Sequence, residues 1–152
     1  MAQDDESTLH RSQAIEANNS VWELLDSDVP DTTELLGRAY AASYHWARAA
    51  DRTPANAARA SWLLSRCHAV LGQGELALHH SDECAATVAE AGLEDFDLGY
   101  SHEARARALA ALGRTDEASA ELAAAKAVEI VDDQDREVFE SDLAAPPWFG
   151  LT

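Results

Sequence analysis

Two stretches of this sequence repeat one another. Leu71-Gly72-Gln73-Gly74-Glu75-Leu76-Ala77 and Leu112-Gly113-Arg114-Thr115-Asp116-Glu117-Ala118 both read L-G-x-x-x-x-A, and Gly72 and Gly113 lie 41 positions apart. Each stretch sits between two segments whose apolar residues recur at helical spacing. Glycine ends the first segment where the backbone needs a positive φ. The small alanine lets the returning segment approach closely. This pattern directs the chain toward stacked helix hairpins.

The rest of the sequence carries helix signals in series. A helical stretch from about Thr8 to Leu25 closes at Asp26–Pro30, where Pro30 disfavours helix at Val29. Asp31-Thr32-Thr33-Glu34 reads as a capping box. It opens a helix with Leu35, Leu36, Ala39, Tyr40, Ser43, Tyr44 and Ala47 on one stripe, ending near Asp51. Thr53 and Pro54 begin a third, to Leu71, with proline at its favoured first position. A fourth runs from Glu75 to about Glu90 and stops at Gly92. Leu93–Asp97 links to a fifth ending at Leu112-Gly113. Thr115 caps a sixth, to about Val131, with Asp116 and Glu117 at its positive dipole end. A short seventh runs from Asp132–Asp135 to Leu143, and Pro146-Pro147 stops it. No segment alternates with period two between hairpin turns. Scarce glycine (7) and proline (4) and an apolar share of 47% suit an all-α globular chain. Residues 1–7 are expected to be disordered and 8–149 to form one domain. Within it, 133–149 is the expected C-terminal cap and hydrophobic tail.

The repeat resembles the tetratricopeptide repeat (TPR). Registered on Gly113, the family's small and bulky positions fall on Ala106, Leu109, Gly113, Ala118, Leu122 and Ala125. Registered on Gly72, they fall on Leu64, Ser65, His68, Gly72, Ala77, Ser81 and Cys84. Here His68 replaces the usual tyrosine and Ser81 the usual bulky residue. Ala42, Trp46, Ala49 and Pro54 fit the second helix of a degenerate first repeat. The resemblance covers roughly residues 8–131, and its 41-residue offset exceeds the family's usual period of about 34. It implies a TPR-like right-handed solenoid of about seven helices with a terminal cap, of the small free-standing kind found in bacteria. It also implies a binding role, with the first helix of each repeat lining a concave groove. Carried over, the groove positions are Arg59, Trp62 and Arg66 from one repeat and Tyr100, Glu103 and Arg107 from the next.

Charge narrows the partners. The formal net charge is -17, from 28 acids against 11 bases. Such a surface repels nucleic-acid phosphates and anionic membranes. The groove positions nonetheless hold three arginines, and no acid stands between Asp51 and Glu75. A positive island in a negative shell focuses field on an anion, and the arginine fork suits a carboxylate. The expected partner is therefore a peptide or small anionic ligand, without a cofactor. If Arg59 and Arg66 instead pair with acids of neighbouring helices, and Trp62 is core, the same residues are structural. A short groove would gain from dimerisation, and Trp148 and Phe149 are candidates to dock on a second copy.

Other chemistry is weakly signalled. His80 and Cys84 stand one helical turn apart beside His79, which is half a metal site, and no complete metal motif accompanies them. The sequence has no GxSxG, GxGxxG or P-loop, so no catalytic residue is assigned. The competing reading is a helical-bundle enzyme or metal-binding protein using His45, His68, His79 and His102 around one pocket. The polar, acidic start (Asp4, Asp5, Glu6) does not read as a leader. Two cysteines, Cys67 and Cys84, are too few for a disulfide framework. A cytoplasmic, reduced protein is expected.

Overall fold

A computed structural model describes residues 2–151. Among them lie seven helices and no strand: α1 (Ala2–Leu25), α2 (Thr32–Trp46), α3 (Pro54–Val70), α4 (Gly74–Ala91), α5 (Asp95–Ala111), α6 (Thr115–Ala127) and α7 (Asp133–Ala144). The helix starts follow local chemistry. Asp31 accepts from the Glu34 N–H, Asp132 from the Asp135 N–H, and Thr53 with Asn56 closes a reciprocal capping box ahead of Pro54. Each cap satisfies a backbone donor that the first helical turn leaves open.

Three differences from the sequence reading stand out. Ala2–Ser7, expected to be disordered, form the first turns of α1, and the Ser7 carbonyl accepts from the Ala50 N–H; Met1 lies outside the described residues. Arg114, not Thr115, is the N-cap residue of α6. That helix also ends at Ala127 rather than near Val131, because Val128 turns extended and sends Ile130 into the core.

The helices pair as α1/α2, α3/α4 and α5/α6, with α2 against α3 and α4 against α5. The first helices of successive pairs also meet: α1 touches α3, α3 touches α5, and α7 closes the row on α5. The two glycine turns are built alike. Gly72 and Gly113 have φ of 73° and 72°. Gly72 donates to Ala69 O and Gln73 to His68 O; 41 residues on, Gly113 donates to Ala110 O and Arg114 to Leu109 O. Both are left-handed glycine caps that satisfy the last helical carbonyls. Ala77 and Ala118, the alanines of the repeated pattern, are fully buried. At Gly74 a Cβ would fall 2.8 Å from Leu112 Cγ, so the bare backbone lets the first turn nest against the second.

One continuous core runs from Val21 and Leu35 through Leu63 and Cys67 to Tyr100 and Phe139. Phe139 fixes α7: its ring stands over Gly99, where a Cβ would meet Phe139 Cζ at 3.1 Å. No helix among the described residues is long and apolar enough to cross a membrane.

Candidate functional site

Residues of α3 and α5 that lie 41 positions apart, the spacing of Gly72 and Gly113, stand side by side. Trp62 corresponds to Glu103, and the Trp62 indole Nε1–H donates to Glu103 Oε2 at 2.7 Å. Arg66 corresponds to Arg107, and both guanidinium groups converge on Glu103 Oε1, from Arg66 Nη1 at 3.1 Å and from Arg107 Nε. Glu103 is 0% exposed, Arg107 1% and Arg66 8%. Burial pulls Arg107 below its ordinary value, opposed by the carboxylate beside it.

The remaining donors of this cluster are aimed at the chain's own C-terminal segment. Arg107 Nη1 donates to Ala145 O and Pro147 O at 2.8 and 2.9 Å, and Nη2 donates to Asp142 O. Arg66 Nη2 reaches Pro146 O at 3.5 Å. The Arg107 guanidinium lies 4.0 Å from the centroid of the Trp148 ring. Trp148 is buried against Ala106 and Leu122 and donates to Leu143 O at 2.8 Å. The expected arginine groove is thus occupied from within. Arg66, Glu103 and Arg107 stand together, but they bind one another and residues 142–148 rather than facing solvent. Trp148, a candidate for docking on a second copy, is likewise committed inside the chain, whereas Phe149 stays half-exposed.

Beside this cluster the same row of helices encloses an open pocket of about 540 Å³. Its wall is aromatic: Trp22 from α1, Trp46 from α2, Trp62 from α3, and Phe96 and Tyr100 from α5. Trp22 stacks on Trp62 with centroids 5.6 Å apart, Tyr100 stands edge-on to Trp62 at 5.2 Å, and Phe96 meets Tyr100 at 4.6 Å. Polar groups complete the lining: Asn18, Asn56, Arg59, Asp97 and Asp142, with Val138 of α7 on one side. Arg59 grips Asp97 through Nε and Nη2 at 2.8 and 3.3 Å. That contact uses two of the five guanidinium N–H donors, and the side chain is half-exposed. The Tyr100 hydroxyl donates to Asp142 Oδ2 at 2.5 Å. Burial and that carboxylate push its pKa well up, so it stays a donor.

Of the six groove positions, Arg59, Trp62 and Tyr100 line the pocket. Trp22, Phe96 and the two asparagines were not singled out in the sequence, and Trp46 only as a repeat position. Trp22 was visible as one of four tryptophans in the chain. Its place beside Trp62 depends on how α1 crosses α3, which no local pattern encodes. Cys84 also lines this pocket, away from His79 and His80, and burial pushes its thiol up to about 12, as it does that of Cys67. Both thiols are therefore unreactive near neutral pH.

The histidines do not share one cavity. His102 Nδ1 lies 2.7 Å from Glu121 Oε2, in a network with Arg105 and Asp82. His68, His79 and His80 gather near Tyr40 and Glu83. His45 lies 2.8 Å, Nδ1 to Nδ1, from His10. Desolvation, followed by the neighbouring His10, holds the His45 pKa below its ordinary value. The folded chain therefore resists a proton that the unfolded chain accepts. The stability that the neutral His45 imidazole contributes is present above pH about 6.5 and is lost as pH falls through its depressed value. Thermal melts at pH 7.5 and pH 5 should show the parent losing more melting temperature than His45→Asn across that interval.

Comparison with protein-family models, curated proteins and solved structures returns no match for this chain.

Proposed function

We propose that this chain is a TPR-like helical-repeat binding module whose aromatic pocket captures the apolar ring or side chain of a peptide or small carboxylate-bearing ligand. The observation that carries this reading is the pocket itself. Five aromatic side chains from four helices enclose about 540 Å³, the range in which compact ligands are held by apolar walls and a few fixed polar groups. The ligand's ring packs against the aromatic wall that Trp22, Trp46 and Phe96 present to the pocket. Its carboxylate meets the unused guanidinium edge of Arg59, with the Asn18 and Asn56 amides as further donors. The remaining carboxylates of the wall are engaged by Arg59 and Tyr100. Helix pairing, the two matched glycine caps and the contacts among α1, α3, α5 and α7 support the repeat assignment. The C-terminal segment then serves as the cap, filling the arginine end of the groove and leaving the aromatic end open.

Matched aromatic carboxylates and amines, such as naphthoate and naphthylmethylamine, test this through quenching of tryptophan fluorescence. The carboxylate should bind at least about 5-fold tighter than the amine, a difference of about 1 kcal/mol for one exposed charge contact. Arg59→Ala should erase the preference. Val138→Trp, a half-exposed position on the pocket wall, should weaken both probes without lowering the melting temperature. Failure of naphthoate to bind, or equal binding to Val138→Trp and the parent, contradicts the proposal.

A further inference from the structure

Away from the aromatic pocket, His68, Tyr40 and His80 form a relay whose hydrogens are set from one end. Gln73 presents Oε1 to His68 Nδ1 at 2.6 Å, so Nδ1 carries the hydrogen and Nε2 the lone pair. The Tyr40 hydroxyl, 2.9 Å away, donates to that lone pair. It has one hydrogen, so at its second contact, His80 Nε2 at 3.1 Å, it accepts. His80 therefore keeps its hydrogen on Nε2 and a lone pair on Nδ1. The His80 residue is only 8% exposed, and its Nδ1 is buried without a hydrogen-bond partner. Nevertheless it stands 3.0 Å from Glu83 Oε1. A lone pair and a carboxylate oxygen at that separation repel, and a cation between them turns the repulsion into ligation. His79 Nε2 approaches the same Oε1 to 2.9 Å, and the three atoms all lie within 4.8 Å of one another.

We propose that His79 Nε2, His80 Nδ1 and the Glu83 carboxylate bind a divalent transition ion of the zinc class, with Tyr40 and His68 as positioning residues. Two imidazoles and one carboxylate are a zinc-type donor set, whereas magnesium and calcium prefer all-oxygen shells. Tetrahedral bonds of about 2.0–2.1 Å separate ligand atoms by about 3.3 Å. The two histidine–carboxylate separations, 2.9 and 3.0 Å, need to open by only a few tenths of an ångström, which the exposed His79 and Glu83 side chains allow. Their exposure leaves a fourth position for water or an external ligand. Tyr40 does what outer hydrogen bonds do at metal histidines: it fixes which ring nitrogen faces the ion. Glu83 stands where the sequence suggested Cys84. On this helix Cys84 points into the core, and its neighbour supplies the third ligand.

Calorimetric titration of the untagged full chain with Zn²⁺, and absorption titration with Co²⁺, test the site. The expected result is one equivalent of Zn²⁺ bound, visible Co²⁺ bands of a four-coordinate site, and no heat from Mg²⁺. Glu83→Gln and His79→Ala, both at exposed positions, should weaken binding at least about 10-fold while helicity and melting temperature of the metal-free protein stay unchanged. Tyr40→Phe should weaken it by about 10–100-fold, as loss of an outer-shell partner does. His10→Ala should leave binding intact. Absence of saturable Zn²⁺ uptake, or uptake that survives both Glu83→Gln and His79→Ala, overturns the site. An unchanged affinity in Tyr40→Phe overturns the relay's positioning role.

Discussion

Glu103→Ala is expected to lower stability by about 3–5 kcal/mol, the cost of breaking a buried ion pair from one side. In a chain of this size that is roughly 10 °C or more in melting temperature. The reason is electrostatic. Glu103 is the shared counter-ion of Arg66 and Arg107 and the acceptor for the Trp62 indole. Its removal leaves two guanidinium groups in a site closed to water, with one indole donor unpaired. Glu103→Gln keeps an acceptor but loses the charge, so it should fall between alanine and the parent. Combining Glu103→Gln with Arg66→Met should recover part of the loss, since an apolar replacement of a buried ion costs less than an orphaned one. Urea denaturation of the four proteins checks the order. A Glu103→Ala change within about 1 kcal/mol of the parent would mean that both arginines reach solvent.

Truncation after Ala145 is expected to cost a similar amount and to make the protein self-associate. The deletion removes Trp148, whose burial alone is worth about 3–5 kcal/mol by the measure of large-to-small core changes. It also strips Arg107 of one carbonyl acceptor and of its aromatic partner. Ala106 and Leu122, now covered by Trp148, become an open apolar patch on the last hairpin. Light scattering after size exclusion should find a larger mass for the truncated chain than for the full one. A truncated chain that melts with the parent and keeps its mass would show that the segment after Ala145 does not cover the last hairpin.

Much of the fold was legible because it is local. Asp31, Thr53-Pro54, Gly92 and Asp132 mark helix ends through chemistry within one turn, and Gly72 and Gly113 impose the same left-handed stop. The misreadings have equally definite causes. Ala2–Ser7 look disordered by composition, yet they continue α1 and the Ser7 carbonyl holds the Ala50 N–H. Val128 leaves α6 early because Ile130 has a core site to fill. At the candidate site, the groove positions carried over from the resemblance put Arg59, Trp62, Arg66, Tyr100, Glu103 and Arg107 on one expected face. Register alone says nothing of what covers a face. The cover is the C-terminal segment, whose carbonyls take up Arg107, so half of the presumed groove is core. Trp22 enters the pocket only through the crossing of α1 on α3. The i, i+4 pair read from the sequence was His80 with Cys84; Glu83 takes the ligand place instead, and the Tyr40–His68 relay that orients His80 spans three helices.

Helices α1, α3 and α5, with Trp46 of α2, line one hollow that is open at its aromatic end and sealed at its arginine end. The four tryptophan indole N–H resonances report on it directly, because Trp22, Trp46 and Trp62 line the open end and Trp148 is held in the seal. In a heteronuclear NMR titration with naphthoate, the first three should shift together along one binding curve while Trp148 stays in place. Movement of Trp148 with the other three unchanged, or no movement of any, would mean that the aromatic end is not where the ligand enters.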